Sequence, residues 1–372
     1  MHLNLSNVVS DTFCIAPWVN LHISQKNQIK PCCGGRGIFE SIENYTAGND
    51  NNLNQLKQDL LDGKSTSFCD GCVEKEWYSE FLDQDLKVDK LEDFILKSVD
   101  ARWGVTCQLS CMYCNSNFSS TWRQLESKTI PIQPFKIYDD NITEIFKLID
   151  SNRNQLTRVS MLGGEPLLLK ENLRLLDAIN ENTSIEIFTN LNVDLDKNEI
   201  FQKLITRKNV NWYVSMETIG QRFEFVRRGA DWNLQVQNLQ QLTSKSTSPV
   251  ILQSQYCVYN ALNLVELYDF ANTFKNLTIN LTSGVTKPAV LNFFLFPEPF
   301  KILALDQVNQ CINTYPDMSY HLIKIKDLLE SSMTTSTTDI LNECIKWHQE
   351  QETKYFKNRF DFLELWPEYL VK

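Results

Sequence analysis

A chain of 372 residues, 42% hydrophobic and 22% charged, has the composition of an ordinary globular protein and room for one large domain or two smaller ones. Its net charge of −10 argues against a protein that tracks a nucleic-acid backbone, and no apolar run approaches the roughly 18–20 residues of a membrane span. The opening MHLNLSNVVSDTF has no basic segment before an apolar core, so no signal peptide is expected, and the eleven cysteines read as metal ligands and buried free thiols of a cytoplasmic protein.

Residues 1–98 differ in pattern from the rest. WVNLHIS alternates Trp18, Asn20 and His22 with Val19, Leu21 and Ile23, as a strand does. QKN reads as a turn and QIKPCC as a returning strand, so a hairpin is expected within 14–33. LNQLKQDLLDGK predicts a short amphipathic helix stopped at Gly63, and FCDGCVEKEWYSEF a Cys-x-x-Cys turn leading into a helix. From residue 99 strands alternate with helices. Strands are expected at 100–105, 156–162, 184–189, 210–216, 250–257 and 276–281, with helices in NITEIFKLIDSN, ENLRLLDAIN, WNLQVQNLQQLTS and NLVELYDFANTF. Six such units predict an α/β fold whose parallel sheet has right-handed crossovers. We read an open or partial barrel, a choice that periodicity alone does not decide; in a barrel, active residues gather at the C-terminal ends of the strands. Residues 286–372 form a less regular, helical C-terminal extension: LNECIKWHQEQETKYFKN predicts a final helix, and the aromatic FDFLELWPEYL is expected to cap the barrel.

CQLSCMYC carries Cys107, Cys111 and Cys114 just past the first expected strand, in one loop. Three thiolates hold three irons of a [4Fe–4S] cluster and leave the fourth iron open. A three-cysteine zinc site completed by a distant residue fits the same spacing. MLGGEPLL follows the second strand. Gly163 and Gly164 let a ligand approach the backbone, Glu165 adds a carboxylate and Pro166 stiffens the entry to the next helix. A plain strand-to-helix turn reads the same way.

In this order, CQLSCMYC, GGEP, IFTNLN, VSMETIGQRFEFVRRGADW and CVYNALNLVELYDF resemble the elements of the radical S-adenosylmethionine (SAM) superfamily over most of 99–285. The resemblance implies a partial (β/α)6 barrel in which Cys107, Cys111 and Cys114 hold a SAM-binding [4Fe–4S] cluster. It places Tyr113 near the adenine, and Gly163, Gly164 and Glu165 at the methionine amino group. It gives Ser215 and Glu217 the ribose and Arg227 the carboxylate, with Asn190 and Asn260 lining the pocket. Glu217 stands where Asp is commoner, and Arg228 competes with Arg227 for the carboxylate. The implied chemistry is reductive SAM cleavage to a 5′-deoxyadenosyl radical that takes a hydrogen atom from a substrate.

The segments CIAPWVNLHISQKNQIKPCC and FCDGCVEKEW resemble the auxiliary-cluster module called SPASM, or its shorter relative, twitch, here preceding the barrel. The resemblance implies one auxiliary [4Fe–4S] cluster on Cys14, Cys32, Cys69 and Cys72, with Cys33 a rival for Cys32. A four-cysteine zinc ribbon is the other reading. Asn27 stands where the module usually has Gly, and Asn also tolerates a left-handed turn.

Other candidates read as structure. Cys257 shares the expected strand face of Gln253, Gln255 and Tyr259, and could donate a hydrogen atom, but free cysteines are more often small buried hydrophobes. Cys311, Cys344, His22 and His348 read as packing residues. The expected organisation is therefore 1–98 auxiliary module, 99–285 barrel and 286–372 capping extension. The resemblance implies a ribosomally made precursor peptide as substrate, crosslinked, epimerised or excised in its backbone as by a splicease. A separate leader-binding partner protein and an external electron donor would then be needed. A sugar, nucleotide or amino-acid substrate is the alternative, and a non-catalytic iron–sulfur protein is the rival from another class.

Overall fold

The computed structural model describes residues 3–5, 12–36, 42–70, 72, 78, 81, 87–88, 90–132, 139–285, 287–335 and 339–370. They fall into two compact units, Met1–Thr106 with Gln133–Ile187, and Cys107–Ile132 with Phe188–Lys372.

In the first unit the strand Asn20–Ile23 pairs antiparallel with Ile29–Lys30 and parallel with Ser98–Ala101. Ser98–Ala101 pairs parallel with Arg158–Met161, which pairs parallel with residues 184–187. The expected hairpin is present but starts later than its alternation suggests. Ala16–Val19 is a helical turn with a proline in its first positions, where a fixed φ favours helix, so Trp18 and Val19 leave the strand pattern. Asn27 turns the hairpin at φ 57°, the left-handed conformation that Asn tolerates. The register sorts side chains into rows. Leu21, Val99, Val159 and Ile185 align across the sheet and are fully buried, each contributing about 1.5–3 kcal/mol. One residue on, His22, Asp100, Ser160 and Glu186 form the next row, on the opposite face because side chains alternate.

The first unit also holds the helices Asn51–Leu61, Asp139–Ser151 and Glu171–Ala178. The first of these is capped by Asp50, whose carboxylate accepts from the amides of Asn52 and Leu53 at 3.0 Å. It buries Leu53, Leu56 and Leu60, and Gly63 at φ 69° follows its end. The helix expected after Cys72 lies outside the described residues.

In the second unit Val210–Ser215, Val250–Gln255 and Leu277–Thr282 are parallel, the middle strand pairing with both others. Trp212, Val214, Leu252 and Ile279 are buried on one face, while Ser215, Gln253 and Asn280 share a register position on the other. Helices Trp232–Lys245 and Leu264–Asn272 follow the first two strands. All six expected strands are therefore present, in a mixed α/β fold with parallel strands. The first is Ser98–Ala101, ending before the expected 105 because Gly104 and Thr106 turn under the Gly163–Gly164 backbone. The fifth stops at Gln255, so Cys257 does not share its face; it lies in the following turn, fully buried.

The C-terminal part is helical, with Glu298–Thr314, Leu322–Ser331 and Ile340–Gln351. The last runs into a π turn, Glu352–Phe356, and stops where Lys357 and Asn358 adopt left-handed φ. The aromatic tail packs on the turn after Val250–Gln255: Trp366 Nε1 donates to the Tyr259 carbonyl at 3.2 Å and the Tyr369 hydroxyl to the Val258 carbonyl at 2.7 Å. Among the described residues no helix is long and apolar enough to cross a membrane.

Candidate functional site

The loop bearing Cys107, Cys111 and Cys114 belongs to the second unit and is fastened from two sides. The helix Ser120–Glu126 and its cap hold its carbonyls. Ser119 Oγ donates to Leu109 O at 2.6 Å, Thr121 Oγ1 to Cys107 O at 2.7 Å and Trp122 Nε1 to Cys111 O at 2.9 Å. From the other side Ser110–Cys111 pairs antiparallel with Arg227–Arg228, Cys111 opposite Arg227. Gly229, at φ 95°, lets that strand pass close to Gln108, where a Cβ would stand 3.2 Å from its carbonyl oxygen. Cys107 and Cys111 are buried and Cys114 is half-buried. Burial pushes the Cys111 and Cys114 thiols up.

Beside the loop lies a buried ion pair. Arg227 Nε and Nη2 donate to the two Glu217 carboxylate oxygens at 3.1 and 3.0 Å. Burial raises the Glu217 carboxyl, against the opposing pull of Arg227 and of a hydrogen bond from Tyr113. The guanidinium carbon sits 5.7 Å from the centre of the Tyr113 ring. Arg227 and Glu217 thus take one another as partners, with Tyr113 and Cys111 at their side. Arg228 faces elsewhere. It pairs with Glu352, and its guanidinium lies 4.5, 4.8 and 4.5 Å from the Phe225, Phe356 and Phe360 rings.

Asn190 reaches the same loop. Its Oδ1 accepts from Gln108 Nε2 at 3.0 Å and from the Asn192 amide at 2.9 Å. Asn260 does something different: its side chain bonds to Ser254 Oγ, the Gln255 carbonyl and the Cys257 amide, so it shapes its own turn. Ser215 ends its strand half-buried, level with Gln253.

In the first unit, Gly163 has φ 133°, and a Cβ at Gly164 would stand 2.4 Å from the Thr106 carbonyl oxygen. Close backbone approach therefore requires glycine there, independently of any ligand. Glu165 is fully buried; its amide donates to Thr106 O at 2.8 Å and its carboxylate caps Leu167 N at 3.0 Å.

The first unit also contains a cavity lined by Cys14, Cys32, Cys69 and Cys72 with Ala16, Leu56 and Phe68. Cys33 is not among its lining residues. Burial, then the neighbouring Cys14 and Cys33, push the Cys32 thiol up to about 12. Among the described residues no three or more His, Cys, Asp or Glu side chains gather as a set able to hold a metal ion. One zinc needs all its ligands within about 2.3 Å of a point, whereas an iron–sulfur cluster carries each thiolate on its own iron. Thiolates are soft donors that suit either centre.

Gln108, inside the cysteine loop, and Asn192, beside Asn190, were not evident as site residues from the sequence. Asn192 Nδ2 donates to the Asp231 carbonyl at 2.8 Å and Gln108 Nε2 to the Asn192 carbonyl at 3.0 Å. Their polar character in IFTNLN and CQLSCMYC was the only available signal.

Residues 102–271 match the family model of the radical SAM superfamily. Solved structures that resemble the chain include Streptococcus suis SuiB bound to S-adenosylmethionine, at 18% identity over 58% of this chain and 44% of that one, with a TM-score of 0.38. Native anSMEcpe with bound AdoMet matches at 14% identity over 59% and 61%, with a TM-score of 0.43. SuiB bound to the precursor peptide SuiA matches at 17% over 58% and 46%, with a TM-score of 0.40. The match spans less than two thirds of each of these proteins. No curated protein matches the chain.

Proposed function

We propose that the chain is a radical SAM enzyme that takes a hydrogen atom from a ribosomally made precursor peptide. The observation that carries the enzymatic part is the three-thiol loop, fastened beside the Arg227–Glu217 pair within the stretch that matches the superfamily model. Cys107, Cys111 and Cys114 would hold a [4Fe–4S] cluster, and the chemistry it would supply, once reduced by an external donor, is one-electron cleavage of SAM to methionine and a 5′-deoxyadenosyl radical. The chain's own part is to hold the cluster loop rigid, to keep Arg227 ionised through Glu217, and to screen the loop from water. Tyr113, Ser215, Arg227 and the Gly163–Glu165 turn remain the proposed SAM contacts.

The peptide reading rests on the four-cysteine cavity, whose lining of Cys14, Cys32, Cys69 and Cys72 supports one auxiliary [4Fe–4S] cluster of the SPASM or twitch kind. An external electron donor and a leader-binding partner protein complete the proposal.

The test is anaerobic reconstitution, then reduction in the presence of SAM. 5′-Deoxyadenosine is the expected product, and its absence at full iron content would refute an enzymatic role. For the substrate, short peptides encoded beside the gene are added and followed by mass spectrometry. A mass change dependent on SAM is expected; turnover of a sugar or nucleotide instead would overturn the peptide assignment.

A further inference from the structure

Two side-chain nitrogens reach the sulfurs of the cysteine loop. Asn190 Nδ2 lies 3.8 Å from Cys107 Sγ, and Arg227 Nη1 lies 3.9 Å from Cys111 Sγ. Both are within the range of a hydrogen bond to sulfur, and both are fixed by other bonds. Asn190 Oδ1 already accepts from Gln108 Nε2 and from the Asn192 amide. An amide whose oxygen is doubly engaged has its NH₂ direction set, and here its two N–H groups face Gln108 Oε1 at 3.4 Å and Cys107 Sγ. In Arg227 the Glu217 carboxylate occupies Nε and Nη2. The remaining nitrogen, Nη1, is the one that points to Cys111. The backbone repeats this alignment: Arg227 and Cys111 are ladder partners, and the Met112 amide donates to the Val226 carbonyl at 2.8 Å.

We infer that Asn190 and Arg227 are positioning residues for the cluster sulfurs, with Gln108 and Glu217 orienting them, and that together they raise the reduction potential of the loop's cluster. The inference rests on the reading above that Cys107, Cys111 and Cys114 hold that cluster. Reduction adds one electron, supplied by an external donor, and breaks no bond. The reduced cluster is more negative by one charge, so N–H donors and a nearby cation favour it. At Cys111 the pull of Arg227 exceeds the opposing one of its partner Glu217, and Asn190 offers only a dipole, so Arg227 contributes the larger part. This role differs from a contact with the SAM carboxylate because it operates before SAM is bound.

The experiment is a redox titration followed by electron paramagnetic resonance, on the reconstituted full chain without SAM. It compares the parent with Arg227→Gln and Asn190→Leu, each also in a Cys69→Ala/Cys72→Ala background so that one cluster is observed. Arg227→Gln leaves Glu217 buried without its partner and can lose its fold. Asn190→Leu removes a neutral donor at similar volume and keeps the inference testable. Both variants are expected to retain iron and to titrate at more negative potential than the parent, Arg227→Gln by more. Unchanged potentials at full iron content would overturn the inference. So would loss of iron in a folded Asn190→Leu, which would make Asn190 a requirement for holding the cluster rather than for tuning it. A parent chain that binds no cluster on the loop would instead overturn the reading beneath.

Discussion

Arg227 and Arg228 are adjacent in sequence and have opposite surroundings. Arg227 is turned to Glu217 and the cysteine loop; Arg228 sits among three phenylalanine rings against Glu352. Removing a single member of a buried pair leaves an uncompensated charge and costs about 3–5 kcal/mol. Arg228→Met with Glu352→Gln removes both charges and is expected to fold near parental stability and to keep SAM affinity. Arg227→Met is expected to weaken SAM binding at least tenfold. Calorimetric titration with SAM checks both, and a loss of affinity in the Arg228 variant alone would reverse the assignment. Gly164 makes a second residue-scale claim. An added Cβ would stand 2.4 Å from Thr106 O and 2.7 Å from the Val105 backbone. These are backbone atoms that cannot rotate away, so Gly164→Ala is expected to cost about 1–3 kcal/mol. Urea unfolding measures it, without any cofactor present.

At the scale of elements, the last helix and the aromatic tail are held together around His348. Its Nδ1 lies 2.7 Å from the Cys344 carbonyl oxygen and its Nε2 2.9 Å from the Tyr259 hydroxyl, and its ring stacks on Phe362 at 4.1 Å. Bonding to a carbonyl makes Nδ1 the donor, so Nε2 accepts from Tyr259 in a neutral ring. Burial pushes its pKa down to about 3. Below the ordinary value of about 6.5 the unfolded chain binds a proton that the folded chain refuses, so stability falls as pH falls, by about 2 kcal/mol from this group at pH 5. The fall should continue to about pH 3, and above pH 7 the group should have no effect. His348→Gln is expected to flatten the stability profile between pH 7 and 5 by that amount; a parallel profile would show that His348 is protonated in the fold. What the sequence made legible at this scale follows from locality. Val99, Val159 and Ile185 alternate with polar neighbours because one sheet face is dry, so the strands could be read within a few residues. CQLSCMYC and GGEP could be read because their spacing is their geometry. The Arg227–Glu217 fork could not, since it depends on a chain reversal through Gly220–Val226 and on a two-residue ladder to Cys111. The Ala16–Val19 turn was hidden for another reason: Pro17 overrides an alternation that looked like strand.

For the whole molecule, the two sets of cysteines fall in different compact units. Cys14, Cys32, Cys69 and Cys72 belong to Met1–Thr106 with Gln133–Ile187, and Cys107, Cys111 and Cys114 to Cys107–Ile132 with Phe188–Lys372. Each unit has its own buried core and its own strand ladders. Loss of one cluster should therefore leave the other unit able to load its own. With two [4Fe–4S] clusters the reconstituted chain should bind about eight irons. Cys107→Ala/Cys111→Ala/Cys114→Ala should retain about four irons, and Cys69→Ala/Cys72→Ala about four. The functional outcomes should differ although the iron counts agree. The first variant keeps no thiol in the proposed SAM-binding loop and is expected to release no 5′-deoxyadenosine. The second keeps that loop, its Ser119–Trp122 supports and the Arg227–Glu217 pair, so it should still cleave SAM in part while losing product formation on the peptide. Iron analysis, 5′-deoxyadenosine and modified peptide are measured in parallel, with circular dichroism to confirm that each variant is folded. Near-zero iron in the first variant, or zinc in its place, would remove the second cluster from the proposal. Full product formation by the folded Cys69→Ala/Cys72→Ala chain would show that the four-cysteine cavity serves stability alone.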